Sequence, residues 1–265
     1  MSIVLSTQRG PVRWVTIDNA KNRNAIDREA MVALVEAIRD AGADPQTRVV
    51  VLSGAGGAFS TGADLRAARG TLPSQNSPPR ETPTEGRREP EFVTAIRTIW
   101  DLPKPAFAAV DGIAAGFGCS LALACDVRIA STRAKFSLAF VKRGLALDGG
   151  ASFFLPRLAG MNGLEIALSG DVIGAEEALR LGLVNRVIGE DDFSNHVAAA
   201  AEQMAENAPL ALAEIKAAFH RALTLPLEAV LEEELKAVRR LVRTEDVREG
   251  VASFLEKRKP VFKGS

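Results

Sequence analysis

Scarcity sets the first limits on this chain. Of its 265 residues, only two are cysteine and two are histidine. Cys119 and Cys125 share one apolar stretch and cannot build a disulfide framework. A metal site needs more ligands than these, and His196 and His220 lie far along the chain, so no metal is expected. Net charge is missing too, with 33 basic residues against 33 acidic ones. That balance leaves no electrostatic footprint for nucleic acid or an anionic membrane. A polyanionic ligand must then be met locally, by a few placed cations or by backbone N–H groups. No apolar run reaches membrane-spanning length. Residues 1–14 (MSIVLSTQRGPVRW) hold neither a signal-peptide core nor an Arg/Ser-rich amphipathic stretch. The expectation is a cytoplasmic, reduced protein with no nucleic-acid and no membrane partner.

What is present is a core-forming composition. At 47% hydrophobic residues, the chain suits one large domain, or one domain with an appendage. Residues 12–18 (VRWVTID) and 48–54 (RVVVLSG) read as strands, one alternating and one a buried apolar run. Between them Met31, Leu34, Val35 and Ile38 recur at helical spacing, with Asp27 placed as an N-cap. This strand–helix–strand unit predicts a partly parallel sheet with right-handed crossovers. Residues 106–110, 116–124 and 127–131 repeat the unit. From about residue 191 strand signals stop, and Leu212, Ile215, Phe219, Leu231, Leu235 and Val238 sit on helical faces. The expected division is a core over 1–190 and a helical region over 191–265. Residues 70–90, with five prolines among polar residues, read as a mobile loop, either a lid or a tolerated insertion.

Three glycine-bearing turns carry whatever chemistry there is: 54–65 (GAGGAFSTGADL), 111–120 (DGIAAGFGCS) and 144–152 (GLALDGGAS). The first two follow a strand and lead into a helix, which points free N–H groups at one spot and suits an anion or a developing oxyanion. Taken singly, each is equally a tight turn that needs glycine. A dinucleotide site fits poorly, because Phe59 and Leu121 stand where the third glycine of GxGxxG belongs. A serine hydrolase fits poorly as well. GCSLA (118–122) is near a nucleophile elbow, but Ala122 replaces its relieving glycine, and both histidines are expected on the surface.

Five ordered blocks now carry a resemblance: 21–26 (KNRNAI), 57–65 (GAFSTGADL), 108–130 (AAVDGIAAGFGCSLALACDVRIA), 169–187 (SGDVIGAEEALRLGLVNRV) and 249–262 (EGVASFLEKRKPVF). Together they resemble the crotonase (enoyl-CoA hydratase/isomerase) superfamily across nearly the whole chain. The resemblance implies an α/β spiral of repeated ββα units and a C-terminal helical trimerisation region, with trimers or trimer pairs (hexamers) as the assembly. It implies an acyl-CoA thioester as ligand, coenzyme A entering as part of the substrate and no separate cofactor. By position, the thioester carbonyl lies between the N–H groups of Ala63 and Phe117, both taken to sit at turn–helix junctions where the helix dipole adds its support. Arg23 and Ala25 fall near the nucleotide, and Thr61, Asp64 and Leu65 line the pocket. Asp64 reads as organising its turn. Phe254 and Lys257 match residues that reach CoA, often across a subunit boundary; Lys257 is alternatively a solvated helix cation.

One departure bears on the reaction. Hydratases of this superfamily carry two glutamates where this chain has Ser120 and Phe140, which then become acyl-pocket residues. Hydration needs a base for water and an acid for the α-proton; Phe140 can be neither, and Ser120 unaided cannot serve near neutral pH. Asp148, in GLALDGG, falls where several isomerase-type members carry a catalytic aspartate. Leu145, Leu147, Phe153 and Phe154 suggest apolar surroundings that would raise its pKa. Asp148 is either that base or a cap for the following helix. The whole reads as an enoyl-CoA isomerase, with a hydratase using other residues or a non-catalytic acyl-CoA-binding protein as alternatives.

Overall fold

The computed structural model describes residues 3–68 and 89–265. Residues 70–88 of the expected loop therefore lie outside the described residues. Strands β1 (Val4–Arg9) and β2 (Val12–Ile17) form an antiparallel hairpin. Helix α1 (Arg28–Ala43) follows, and the Asp27 carboxylate accepts from Ala30 N–H at 2.8 Å, satisfying one of its free donors. Met31, Leu34, Val35 and Ile38 are all buried, and each such side chain stabilises by about 1.5–3 kcal/mol. Next come β3 (Val49–Gly54), the single turn α2 (Leu65–Ala68), α3 (Glu91–Trp100), β4 (Ala106–Val110) and β5 (Ile113–Ala115). They are followed by α4 (Phe117–Leu123), β6 (Val127–Ser131), β7 (Lys135–Ser137) and α5 (Ala151–Ser169), which is broken at Gly160. Strand β8 (Val172–Gly174), α6 (Ala175–Arg180) and β9 (Arg186–Ile188) complete the sheets.

Six strands make one sheet in the order β1-β2-β3-β4-β6-β9, parallel at every pairing except β1–β2; β5-β7-β8 form a smaller second sheet. Side chains alternate between the faces of a strand. Val50, Leu52, Ala108 and Val110 therefore enter one core with α1, α3 and α4, while Val49, Val51, Phe107 and Ala109 enter another. Phe193, Val197, Ala201 and Ala205 of α7 (Phe193–Ala205) close that second core. Cys119 and Cys125 lie buried in the first, and burial pushes both thiols up to about 12. No helix among the described residues is long and apolar enough to cross a membrane.

Helices α8 (Pro209–Ala222), α9 (Leu227–Leu241) and α10 (Glu245–Glu256) end the chain. One lysine clamps α8 to its own core. Lys216 Nζ donates to Asp126 Oδ2 at 2.9 Å and to the carbonyls of Ile99 and Lys104 at 3.2 and 3.3 Å. Its side chain is 9% exposed and that of Asp126 24%, so the pair is partly shielded from solvent. Next to it His220 stacks on Trp100, centroids 3.4 Å apart and planes 6° from parallel. Burial and the Lys216 charge hold its imidazole pKa below the ordinary value, against Asp126 and Asp101. His220 is thus half-buried against Trp100 rather than freely exposed. His196 is half-buried on α7, its Nε2 enclosed without a partner. Both histidines are half-buried rather than fully on the surface, because α7 and α8 turn those faces partly toward the core.

Candidate active site

The site begins with two interposed segments. Ser60 forms a parallel bridge with Ala114, and Ala63 forms one with Ile26. In the second, Ile26 N–H donates to Gly62 O at 2.8 Å and Asp64 N–H donates to Ile26 O at 3.0 Å. Strand geometry then turns the intervening Ala63 N–H to the opposite side, where it meets no acceptor among the described residues. The N–H of Phe117, first residue of α4, likewise has no acceptor among the described residues. The segments touch at Gly62. Its φ of +83° is left-handed, and a side-chain carbon there would lie 2.8 Å from the Phe117 nitrogen and 2.7 Å from the Ala115 oxygen. Only glycine permits that approach.

Ala63 is not at a helix start: α2 begins two residues later and is one turn long. The dipole argument therefore applies to Phe117 and not to Ala63. The bridge to Ile26 fixes Ala63 instead.

Two buried polar residues that sequence reasoning passed over hold this arrangement. Asn24 is fully buried with φ +57°, in a region asparagine tolerates better than most residues. Its Oδ1 accepts from Asn19 N–H at 2.9 Å, and its Nδ2 donates to Ala58 O and Ala55 O at 2.7 and 2.8 Å. Ser60 Oγ donates to Asn24 O at 2.7 Å and accepts from Gly62 N–H at 3.0 Å. The available signal was a short polar side chain in each of two signature blocks, but its partners lie 31–36 residues away in the Asn24–Ala55, Asn24–Ala58 and Ser60–Asn24 bonds.

Around the donors, Thr61 N–H donates to Arg23 O at 3.1 Å, and Asn19 Nδ2 donates to Ala25 O at 3.1 Å. Arg23 is exposed, its guanidinium without an acceptor among the described residues. Asp64 Oδ1 accepts from Arg66 N–H at 2.9 Å, so it organises the turn. Leu65 is exposed. Arg23, Ala25, Thr61, Asp64 and Ala63 are therefore brought together, with Phe117 beside them.

The third turn closes on the second. Ser120 is fully buried, and its Oγ donates to Asp148 O at 3.0 Å. Ser120 Oγ bonds only main-chain carbonyls and no histidine among the described residues, which does not support the hydrolase arrangement. Asp148 is half-buried; its Oδ1 is enclosed and unpartnered, and burial pushes its pKa up to about 6. Its side chain does not cap α5, where Gly150 is the N-cap residue and no side-chain bond is made. Leu145 is 52% exposed and does not belong to the apolar surroundings, whereas Leu147, Phe153 and Phe154 pack with the core. Phe140 is buried in that core.

Phe254 and Lys257 stand apart. Phe254 is 82% exposed in a groove of α8, α9 and α10, and Lys257 ends α10 with left-handed φ and no ion-pair partner among the described residues. Within one chain they share no hydrogen bond or ion pair with the Arg23 turn.

The site thus holds two unpartnered main-chain N–H groups on adjoining turns, with the half-buried Asp148 carboxyl on the loop packed against Phe117. Residues 7–265 match the family described as enoyl-CoA hydratase/isomerase. A probable enoyl-CoA hydratase of Rhodobacter capsulatus is 39% identical over 94% of this chain and 93% of its own length. A carnitinyl-CoA dehydratase of Salmonella paratyphi A is 36% identical over 97% of both. The crystal structure of an enoyl-CoA hydratase from Polaromonas sp. JS666 superposes with a TM-score of 0.88 at 34% identity, covering 98% of this chain and 99% of that one. The chain belongs to the enoyl-CoA hydratase/isomerase family and has its α/β crotonase fold. It is an acyl-CoA-binding enzyme of that family.

Proposed function

We propose that this enzyme shifts a double bond of an enoyl-CoA from the β,γ to the α,β position. The carboxylate of Asp148 takes a proton from Cα, and the Ala63 and Phe117 N–H groups hold the thioester oxygen while a dienolate forms. The same carboxyl returns the proton at Cγ, so no water is added and none is lost. The observation that carries this reading is the half-buried, unpartnered Asp148 carboxyl beside the Phe117 turn. Its raised pKa suits a group that must both take and give a proton near neutral pH. Ser120 and Phe140 offer no second acid or base for hydration. Arg23 and Ala25 would meet the nucleotide, and Thr61, Asp64 and Leu65 would line the pocket, whereas Ser120 and Phe140, expected in the acyl pocket, are buried against the core and open to no ligand. The test is direct: a 3-enoyl-CoA should give the absorbance of a conjugated thioester, while crotonyl-CoA hydrates weakly or not at all. Rapid hydration without isomerisation would overturn the proposal.

Assembly belongs to the same proposal. Ile215, Phe219, Leu231, Leu235, Val238, Val251 and Phe254 are exposed on α8–α10, more apolar surface than a free helical face carries. A trimer or a pair of trimers would cover it and could bring Phe254 and Lys257 to a neighbour's CoA. Light scattering at micromolar concentration is expected to give the mass of three or six chains; a monomer mass would refute this.

A further inference from the structure

We propose that Ser120 is a positioning residue, holding Asp148 against the Phe117 donor through its main chain. This rests on the reading of Asp148 as base. A serine inside a helix usually bonds back to the carbonyl four residues earlier. Here that contact, to Gly116 O, is stretched to 3.5 Å, while the bond to Asp148 O is 3.0 Å and reaches 28 residues along the chain. The hydroxyl is thus diverted from its own helix to the loop that carries the carboxyl.

The loop also rests on α4 by contact. Gly149 has φ +57°, and a side-chain carbon there would lie 2.7 Å from Ser120 Cβ and 2.9 Å from Phe117 Cδ2. Ser120 and Phe117 are three residues apart, neighbours on one helix face. One rigid helix therefore supplies a donor N–H, a seat for the loop and a hydrogen bond to it. Asp148 needs such a hold, because nothing among the described residues bonds its Oδ1. Its carboxyl position follows from its backbone, and the backbone carbonyl is tied by Ser120 Oγ and by Ala151 N–H at 3.1 Å. Small displacements of a reacting group are costly in rate.

The experiment compares Ser120→Ala, the similarly sized weak donor Ser120→Cys, Asp148→Asn, and the double variant Ser120→Ala/Asp148→Asn, each assayed for conversion of a 3-enoyl-CoA. Ser120→Ala and Ser120→Cys are expected to lower kcat about tenfold with KM unchanged within about twofold. In the Asp148→Asn background the Ser120→Ala loss should vanish, since nothing is left to position. A packing role would instead spare Ser120→Cys, or would multiply with Asp148→Asn. Either result overturns the proposal, as does full activity of Ser120→Ala beside a slow Asp148→Asn. An Asp148→Asn enzyme as fast as wild type overturns the base itself, and this inference with it.

Discussion

Asp148→Asn is expected to slow isomerisation by on the order of a hundredfold or more, the usual scale for a general base, with little change in acyl-CoA affinity. Asparagine keeps the size and the main-chain bonds of the turn and loses only the capacity to take a proton. The wild-type pH profile should carry the same signature. The base works ionised, so the rate should fall as pH drops through about 6, where burial has placed this carboxyl. Stability runs the other way. A carboxyl with a raised folded-state pKa binds its proton more tightly folded than unfolded, and the stabilisation at low pH is lost as pH rises from the ordinary 3.8 to about 6. Asp148→Asn removes that term, and its melting temperature above pH 6 should be no lower than wild type. A variant that isomerises at the wild-type rate would make Asp148 a turn residue and send the search to another base.

Ala63→Pro is expected to lower turnover by roughly a hundredfold to a thousandfold, the usual loss for one oxyanion donor. The substitution removes an N–H that no group among the described residues accepts, so no hydrogen bond described there breaks with it. The two bonds of the Ile26 bridge run through Gly62 O and Asp64 N–H and survive. Ala63→Ser, which keeps the N–H on an exposed residue, is the control and should stay within a few-fold of wild type. Binding of free CoA should persist in both. Full activity of Ala63→Pro would take Ala63 out of the oxyanion-binding pair.

Much of this was legible in the residues, for reasons that differ by element. Helix α1 announces itself because a half-buried surface imposes its period on side-chain choice, strand β3 because burial on both faces leaves an unbroken apolar run, and Asp27 caps where an N-cap belongs. Strands β5, β7 and β8 are three residues each, too short for any period to register. Asn24 and Ser60 were invisible for another reason: their partners are main-chain groups, the carbonyls in another turn, which leave no mark on composition. Asp148 was readable as a residue with two roles, and geometry removes the capping one, since its carboxyl caps nothing. His220 was misread because the packing of Trp100 against α8 is a tertiary fact, absent from the local pattern around either residue.

The buried cysteines have a practical consequence. The chain has only two thiols, both enclosed and held protonated well above physiological pH, and an alkylating reagent needs a thiolate it can reach. The native fold is therefore a silent background for maleimide chemistry. A single cysteine introduced by Phe254→Cys, where the side chain stands open on α10, would carry a dye or spin label alone. Such a label would follow the C-terminal helices during assembly and ligand binding without first stripping the protein of its own sulfur.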